Sequence, residues 1–175
     1  MKAIMKYPGS KWSIADWIIS HFPEHHSYLE AFFGSGAVLF NKPRSNIETV
    51  NDLDGNVVNL FENKPAVELI QRFNFPNVLI YADPPYVLGT RNGKQYRCEM
   101  NDPEQVILLE VLLLHKGPVI ISGYDNNLYN DMLRGWHKEE TVCYSQICSK
   151  KKEVLWMNFE PDGQMTLDDF QEVMP

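Results

Sequence analysis

A short apolar run that ends before a pair of prolines constrains the fold of this chain more than any other segment does. Val78–Ala82 leads directly into Asp83–Tyr86, which reads Asp-Pro-Pro-Tyr. An apolar run bounded by turn residues is typical of a buried strand. Each proline fixes φ at about −65° and lacks an N–H, and the residue before it is kept out of the helical region. We therefore predict a strand over Val78–Ala82 that ends in a rigid turn carrying the Asp83 carboxylate.

The groups on this turn suit an amine attached to an aromatic ring. The amino nitrogen of adenine shares its lone pair with the ring, so it is a poor nucleophile until acceptors pull on its protons. The Asp83 carboxylate and the Pro84 carbonyl can each accept one proton, and the Tyr86 ring offers a face for a base drawn out of its stack. The pattern favours methyl transfer to such an amine. An ordinary proline-rich turn with a surface tyrosine is the alternative.

A second element upstream indicates a site for a nucleoside. Tyr28–Phe40 reads as a strand, a glycine turn and a helix, with Gly34 and Gly36 permitting close approach of the backbone to a ligand. About twenty residues after that turn, Asp52 follows the β-like run Ile47–Val50, at the spacing of an acid that hydrogen-bonds a ribose. The glycine turn taken alone would indicate no more than a turn. Together with Asp52 it predicts a bound nucleoside.

These segments resemble those of a known family, the Dam-type adenine-specific DNA methyltransferases, and the resemblance covers most of the chain. Segments in the family's order are Lys6–Lys11, Glu30–Gly36, Asn51–Asp52 and Asp83–Tyr86, with further matches at Ser122–Tyr124 and Glu153–Asn158. The resemblance implies S-adenosylmethionine as methyl donor and adenine in DNA as acceptor. Asp-Pro-Pro-Tyr also differs from the Asn-Pro-Pro-Tyr associated with methylation of protein glutamine.

The resemblance also implies roles for individual residues. The donor would contact residues from several segments, namely Tyr7, Lys11, Glu30, Phe32, Gly34, Gly36, Asp52, Asn63 and Asp83. Among these, Tyr7 and Lys11 would meet the methionine end and Asn63 the donor's adenine. The target amine would be held by Asp83 and Pro84, with Tyr86 stacked on the base. A solvated lysine at Lys11 and an ordinary loop asparagine at Asn63 are the alternatives.

One part of the family pattern is missing. Only 31 positions separate Asp52 from Asp83, where the family carries a separate target-recognition domain. The sequence before Phe61 resembles the entry to that domain, and the sequence from Glu62 resembles its exit. We therefore expect a single domain over residues 1–175 that lacks the recognition domain near residues 61–62. Loss of a strand there would expose a sheet edge, so a homo-oligomer is expected.

The charge of the chain bears on DNA binding. Asp and Glu number 23 against 16 Lys and Arg, which gives a net charge of −7, so a duplex is repelled on average. Binding therefore requires clustered basic residues. The first candidates are Arg91, Lys94 and Arg97, which follow the Asp83 turn, and the second is Lys150–Lys152. Neither group predicts a recognition sequence, so weak or partner-dependent recognition is expected.

The remaining features indicate an ordinary globular protein. Val106–Leu114, the longest apolar stretch, is interrupted by Glu110 and is too short to span a bilayer. Three cysteines lack metal-ligand spacing, which favours reduced thiols, a cytoplasmic location and no metal. Segments of helix and strand pattern alternate along the chain. We predict an α/β fold, a doubly wound, mostly parallel sheet of the Rossmann-like methyltransferase type that ends in an antiparallel hairpin.

Particular elements follow from local signals. Helices are expected over Trp12–Phe22, after Gly36, over Gly55–Phe61, from an N-cap at Asp102 to Gly117, and over Leu128–Leu133. Strands are expected over Ile47–Val50, Val78–Ala82 and Val119–Ser122, and His137–Tyr144 should pair with Val154–Phe159.

Two classes of function remain open at this stage. The first is a DNA adenine methyltransferase of a restriction-modification type. The second is a remnant or assembly subunit that binds S-adenosylmethionine without methylating DNA. Intact Asp83–Tyr86 favours the enzyme and the missing domain favours the remnant. A methyltransferase acting on RNA or on a protein side-chain amide is a third reading.

Overall fold

A six-stranded sheet organises the protein. The computed structural model describes residues 9–53, 64–90, 98–144 and 150–161. The strands are β1 (Ser27–Glu30), β2 (Ile47–Val50), β3 (Val78–Ala82), β4 (Val119–Gly123), β5 (His137–Tyr144) and β6 (Lys150–Met157). The helices are α1 (Ala15–Ile19), α2 (Ala66–Arg72), α3 (Asp102–Leu113) and α4 (Asn127–Met132), with a short 3-10 turn at Leu88–Thr90.

The sheet is parallel on one side and antiparallel on the other. Its strand order is β2-β1-β3-β4-β6-β5. The pairs β1–β2, β1–β3 and β3–β4 are parallel, whereas β6 runs antiparallel to both β4 and β5. This arrangement confirms the predicted α/β fold and its C-terminal hairpin. Within the described residues β2 lies at one end of the sheet, but the join at residues 61–62 falls outside them, and the homo-oligomer stays a prediction.

Both faces of the sheet are covered, as a doubly wound fold requires. Every residue of β1, β3 and β4 is buried, which is the pattern of parallel strands packed on both sides. On one face Leu29 and Ile80 pack with Leu108 of α3, and on the other Tyr28 packs with Ile18 of α1. Full burial of such a leucine or isoleucine contributes about 1.5–3 kcal/mol, so the two clusters fix the register of the sheet.

Several predicted elements needed correction. Helix α1 is shorter than Trp12–Phe22, and the residues after Gly36 form successive turns rather than an α-helix. Helix α3 ends at Leu113, before Gly117. Its N-cap is Asn101 rather than Asp102: Asn101 accepts from the Glu104 N–H, and the Glu104 carboxylate accepts from the Asn101 N–H. These two reciprocal hydrogen bonds satisfy two backbone N–H groups that the first turn leaves unpaired, and they place the helix start after Asn101.

Other elements agree with the predictions or fall outside the described residues. Strands β2 and β3 have the predicted bounds, and β4, α4 and β5 agree to within one residue. Helix α2 was not predicted. The expected helix over Gly55–Phe61 lies outside the described residues. Within the described ranges, each helix is too short or too polar to cross a membrane.

Candidate active site

Three predicted acids meet at one edge of the sheet. Glu30 ends β1, Asp52 follows β2, and Asp83 follows β3. These strands are parallel neighbours, so their carboxyl ends lie at the same edge, where open α/β sheets bind ligands. All three side chains line a single cleft of about 250 Å³. The structure therefore brings together the Asp83 turn, Gly34 and Asp52 in one crevice.

Asp83 is held by contacts from two directions. Lys11 donates to both carboxylate oxygens, at 2.8 Å to Oδ1 and 2.8 Å to Oδ2. Ser122, at the end of β4, donates to Oδ1 at 3.0 Å, and the Ser122 hydroxyl lies 3.1 Å from the Tyr81 hydroxyl. Asp83 remains 19 % exposed and so reaches the cleft. The carboxylate is oriented by fixed donors and still open to a ligand.

Within the proline turn Pro85 also lines the cleft, whereas Pro84 and Tyr86 do not. Pro84 is buried. Tyr86 is only 5 % exposed, and its ring packs against Tyr124 with centroids 4.3 Å apart. Its hydroxyl donates to Glu153 at 2.8 Å and contacts the Lys11 ammonium. The alternative of a surface tyrosine is therefore not found, because hydrogen bonds hold the Tyr86 hydroxyl inward, and the stacking of Tyr86 on a base stays a prediction.

The turn after β1 is fixed by glycine geometry and by Asp52. The Gly34 N–H donates to Asp52 Oδ2 at 2.7 Å, which joins the glycine turn to the predicted ribose acid. Gly34 and Gly36 have φ of 50° and 66°, a region that side chains disfavour. A Cβ on Gly36 would lie 2.5 Å from the Phe33 ring. Gly36 does not line the cleft, and its contact with the donor stays a prediction; Phe32, by contrast, does line the cleft.

Glu30 is a buried carboxyl group with few compensating contacts. Its Oε2 accepts from the Tyr28 hydroxyl at 2.9 Å and from the Leu39 N–H at 3.0 Å. Burial raises the pKa of Glu30 to about 8; the charge of Asp83 also raises it, while the bond from Tyr28 acts in the opposite direction. Desolvation disfavours the charged form. Glu30 is therefore mostly neutral at pH 7, which the sequence did not indicate.

Asn51 has a structural role beside the cleft. Its amide nitrogen donates to the Ala31 and Lys64 carbonyls at 3.1 Å each, and its oxygen accepts from the Lys64 N–H at 3.1 Å. These bonds tie the end of β1 to the chain that enters α2. Asn51 thus fixes the wall on which Asp52 is presented.

Some predicted site residues lie outside the described part of the chain. These are Tyr7 and Asn63 for the donor, and Arg91, Lys94 and Arg97 for the nucleic acid. Their roles stay predictions. Lys152 is described, and its ammonium lies 2.9 Å from Glu140 on the hairpin.

The sequence analysis missed residues on both sides of Asp83. Tyr81 and Ser122 were noticed only as parts of strands or matched segments, and Glu153 was given no role. The apolar wall of the cleft was missed as well; it comprises Pro65, Ala66, Val67, Met100, Ile107 and Leu108. A signal existed for part of this wall, since Glu104, Ile107 and Leu108 recur at helical spacing on α3.

The charges around the cleft favour a cationic ligand. Five acids line it, namely Glu30, Asp52, Asp83, Glu99 and Glu104, against the single ammonium of Lys11 in the described lining. Glu30 is mostly neutral, but the remaining carboxylates still outnumber the cation. A positive ligand therefore gains electrostatic energy on entering.

Part of the chain matches a known family. Residues 7–73, less than half of the chain, match the family model of D12 class N6 adenine-specific DNA methyltransferases. No curated protein sequence matches the chain.

Solved structures share the fold at low sequence identity. A candidate methylase from Haemophilus influenzae is 14 % identical, with a TM-score of 0.51 over 87 % of this chain and 90 % of that one. A candidate RNA methyltransferase from Pyrococcus horikoshii is 12 % identical, with a TM-score of 0.53 over 88 % and 86 %. A candidate methyltransferase from Streptococcus mutans in complex with SAH is 8 % identical, with a TM-score of 0.52 over 88 % and 99 %. These structures show the shared fold, and the family match over residues 7–73 is the finding that points to methyl transfer.

Proposed function

We propose that this protein transfers a methyl group from S-adenosylmethionine to the exocyclic amine of adenine in DNA. The observation that carries the proposal is the position of the Asp83 carboxylate. It follows a buried parallel strand and lines the same cleft as Gly34 and Asp52. An amine acceptor and a nucleoside donor can therefore meet within one crevice, and positioning of two reactants can supply roughly 7–11 kcal/mol of a barrier.

The charges of the cleft and the position of Asp52 support the proposed donor. S-adenosylmethionine carries a sulfonium, and the described lining is rich in carboxylates. Asp52 is oriented by the Gly34 N–H, so its carboxylate is placed for ribose hydroxyls. Glu30, Phe32, Gly34 and Lys11 would hold the rest of the donor. When bound, the donor supplies an activated methyl group, and its sulfur takes the electron pair of the broken C–S bond.

Asp83 is the residue that acts on the acceptor. The amine nitrogen forms one bond to the methyl carbon and releases one proton through the Asp83 carboxylate to solvent, so an acceptor that pulls on its protons makes its lone pair available. Ser122 orients the carboxylate that does this, and Lys11 also contacts it in the free protein. The Pro84 carbonyl is proposed as the second acceptor, and Tyr86 can stack on a base only after its ring is uncovered.

DNA is proposed as the partner because of the family matched over residues 7–73. The net charge of −7 argues for weak binding at physiological salt, since phosphate contacts carry most non-specific affinity. Arg91, Lys94 and Arg97 are the proposed contacts.

The proposal is tested by labelled methyl transfer from S-adenosylmethionine to unmethylated duplex DNA, single-stranded DNA, RNA and a peptide amide. Asp83→Asn keeps the shape of the side chain and removes its charge. We expect transfer to DNA by the wild type and a loss of about 10²–10³-fold in the variant. Binding of S-adenosylhomocysteine, measured by calorimetry, should survive the substitution. Equal transfer by wild type and variant would exclude Asp83 as the acceptor group.

A second candidate is a protein that binds the donor without methyl transfer. Two observations favour it: Lys11 contacts both Asp83 oxygens, and Tyr86 is buried. It predicts binding of S-adenosylhomocysteine with no incorporation of label into any of the four acceptors.

A further inference from the structure

The Lys11 ammonium lies between the partly exposed carboxylate of Asp83 and the buried carboxylate of Glu153. It is 2.8 Å from Asp83 Oδ1 and 3.7 Å from Glu153 Oε1. The side chains of Lys11 and Glu153 are 6 % and 2 % exposed. The Tyr86 hydroxyl joins them, since it donates to Glu153 at 2.8 Å and contacts Lys11. One cation is thus placed against the acceptor carboxylate with a second carboxylate behind it.

This arrangement conflicts with methyl transfer at Asp83. Oδ1 accepts from both Lys11 and Ser122, and Oδ2 accepts from Lys11. Each carboxylate oxygen has about two acceptor sites, so Oδ1 is filled and Oδ2 keeps one site for an amine proton, directly beside the Lys11 ammonium. The amine nitrogen also gains positive charge as its bond to carbon forms, and a neighbouring ammonium opposes that charge in a medium of low dielectric. Lys11 has to move away from Asp83 as the amine arrives.

Glu153 lies where the displaced ammonium can go. It belongs to β6, beside Val154, which pairs with Gly123 at the end of β4. Shortening the Lys11–Glu153 distance from 3.7 Å to an ordinary hydrogen bond takes a shift of about 1 Å. The Tyr86 hydroxyl already contacts both groups and can keep its bond to Glu153 during that shift.

We propose that Glu153 is a positioning residue that receives Lys11 when the target amine occupies Asp83. The inference rests on the proposed function, because binding of the target amine is what makes Lys11 move. Lys11 neutralises Asp83 in the free protein, and Glu153 keeps the ammonium paired when Asp83 is engaged. Without Glu153, the ammonium stays on Asp83 and competes with the amine.

Glu153→Gln is the variant that tests this role. The amide retains the volume and an oxygen that accepts from Tyr86, but it lacks the charge that receives Lys11. We expect kcat to fall roughly ten-fold or more, while the affinity for S-adenosylhomocysteine stays within about two-fold of the wild type. A purely structural role for Glu153 would instead lower the melting temperature and weaken donor binding together. That outcome, or an unchanged kcat in an active wild type, overturns the inference.

Glu140→Gln is the matched control. Glu140 lies on the neighbouring strand β5, opposite Val154, and its carboxylate faces Lys152 on the surface. The same chemical change there should leave kcat and donor affinity unchanged. A fall in kcat equal to that of Glu153→Gln would show that any loss of charge on the hairpin slows the protein, and would overturn the specific role of Glu153.

A second measurement does not depend on activity. The crystal structure of Asp83→Asn shows where Lys11 goes when residue 83 carries no charge to hold it. We expect Lys11 Nζ within hydrogen-bond distance of Glu153; an ammonium that remains on residue 83 and beyond 3.5 Å from Glu153 overturns the inference. If the wild type transfers no methyl group, the proposed function fails and this structure still decides the role of Glu153.

Discussion

Two regions of the sheet hold a lysine against a carboxylate in very different surroundings. The cleft edge consists of the ends of β1 and β3 with Lys11, and the hairpin consists of β5 and β6. Lys11 is 6 % exposed and lies 2.8 Å from Asp83. Lys152 is 70 % exposed and lies 2.9 Å from Glu140. The N···O distances of the two ion pairs are alike, so the pairs are compared by their exposure to solvent. Buried pairs are costly to break, whereas exposed pairs contribute little.

The same contrast extends to glycines and to acids. Gly36 at the cleft edge and Gly135 before the hairpin both have positive φ, of 66° and 93°, but only Gly36 is surrounded by side chains. The pKa of Glu30 is raised mainly by burial, whereas the pKa of Glu140 is lowered by its hydrogen bond from Lys152. Lys11, Glu30 and Gly36 therefore have chemical counterparts in or beside the hairpin, namely Lys152, Glu140 and Gly135, that can serve as their controls.

The largest effect is expected for Lys11→Met. Methionine keeps an unbranched stem and removes the cation that lies between Asp83 and Glu153. Two acids are left close together in a mostly buried site. We expect the free energy of unfolding to fall by about 3–5 kcal/mol, the cost of removing one partner of a buried pair. Urea denaturation followed by circular dichroism measures it.

Lys152→Met provides the comparison in the hairpin. If the two variants lose equal stability, burial does not separate the regions. If Lys11→Met is as stable as the wild type, the Lys11–Asp83 contact is not formed in solution as described.

Local sequence signals were sufficient for much of the fold. The run Val78–Ala82 and its proline stop define β3 with the predicted bounds, because an apolar strand between turn signals has few alternatives. The same signals failed after Gly36, where bonds such as Phe40 N–H to the Gly36 carbonyl form single turns without propagating. Helix α2 was missed because its seven residues are stabilised by packing on the sheet more than by their own propensity.

The residues of the candidate site were predictable only where they belong to a sequence motif. Asp52 and Asp83 were found because each follows a strand, and strand ends converge at one edge of a parallel sheet. Glu153 was not found, because it lies 70 positions after Asp83 on an antiparallel strand, and no local pattern predicts which charged residue of a hairpin turns inward. The burial of Tyr86 was missed for the same reason, since its partners Lys11 and Glu153 are remote in sequence.

The second prediction concerns Glu30 and pH. Its folded pKa of about 8 lies above the ordinary value of 4.5, so between these values the folded state retains a proton that the unfolded state has lost. Stability is therefore full below about pH 4.5 and is lost as pH rises through 8. Glu30→Gln cannot ionise and keeps an oxygen for Tyr28 and Leu39. We expect it to abolish a loss of a few kcal/mol between pH 5 and pH 9, measured by urea denaturation at each pH.

Glu140, on the hairpin, should change the stability with pH in the opposite direction. The lowered pKa of Glu140 gives stability that is present at neutral pH and lost as pH falls through the folded value. Glu140→Gln should therefore leave the loss between pH 5 and pH 9 in place. A wild type whose stability is flat over that range would show that Glu30 is already ionised in the folded protein.

The third prediction compares the two glycines. Gly36→Ala adds a Cβ about 2.5 Å from the buried Phe33 ring, at a φ of 66°. We expect a loss of about 2–4 kcal/mol, from strain at positive φ and from overpacking. Gly135→Ala meets nothing within 4 Å and should lose about 1 kcal/mol, from strain alone. Thermal melts of both variants measure the difference, and equal losses would mean that Phe33 moves aside without cost.

The smallest effect is expected for Lys152→Met, because its ion pair is the exposed one of the two pairs compared. Lys152 and Glu140 both face water, and Glu140 keeps a second cation, since Lys138 lies 3.6 Å away. Solvent and salt screen the pair, and holding two long side chains together costs entropy. The melting temperature should therefore be unchanged at about 0.15 M salt and should fall slightly at 0.01 M, where the Debye length reaches about 30 Å. A large fall in both salts would mean that the hairpin charges are stabilising despite their exposure, and burial would then no longer explain why Lys11 matters more.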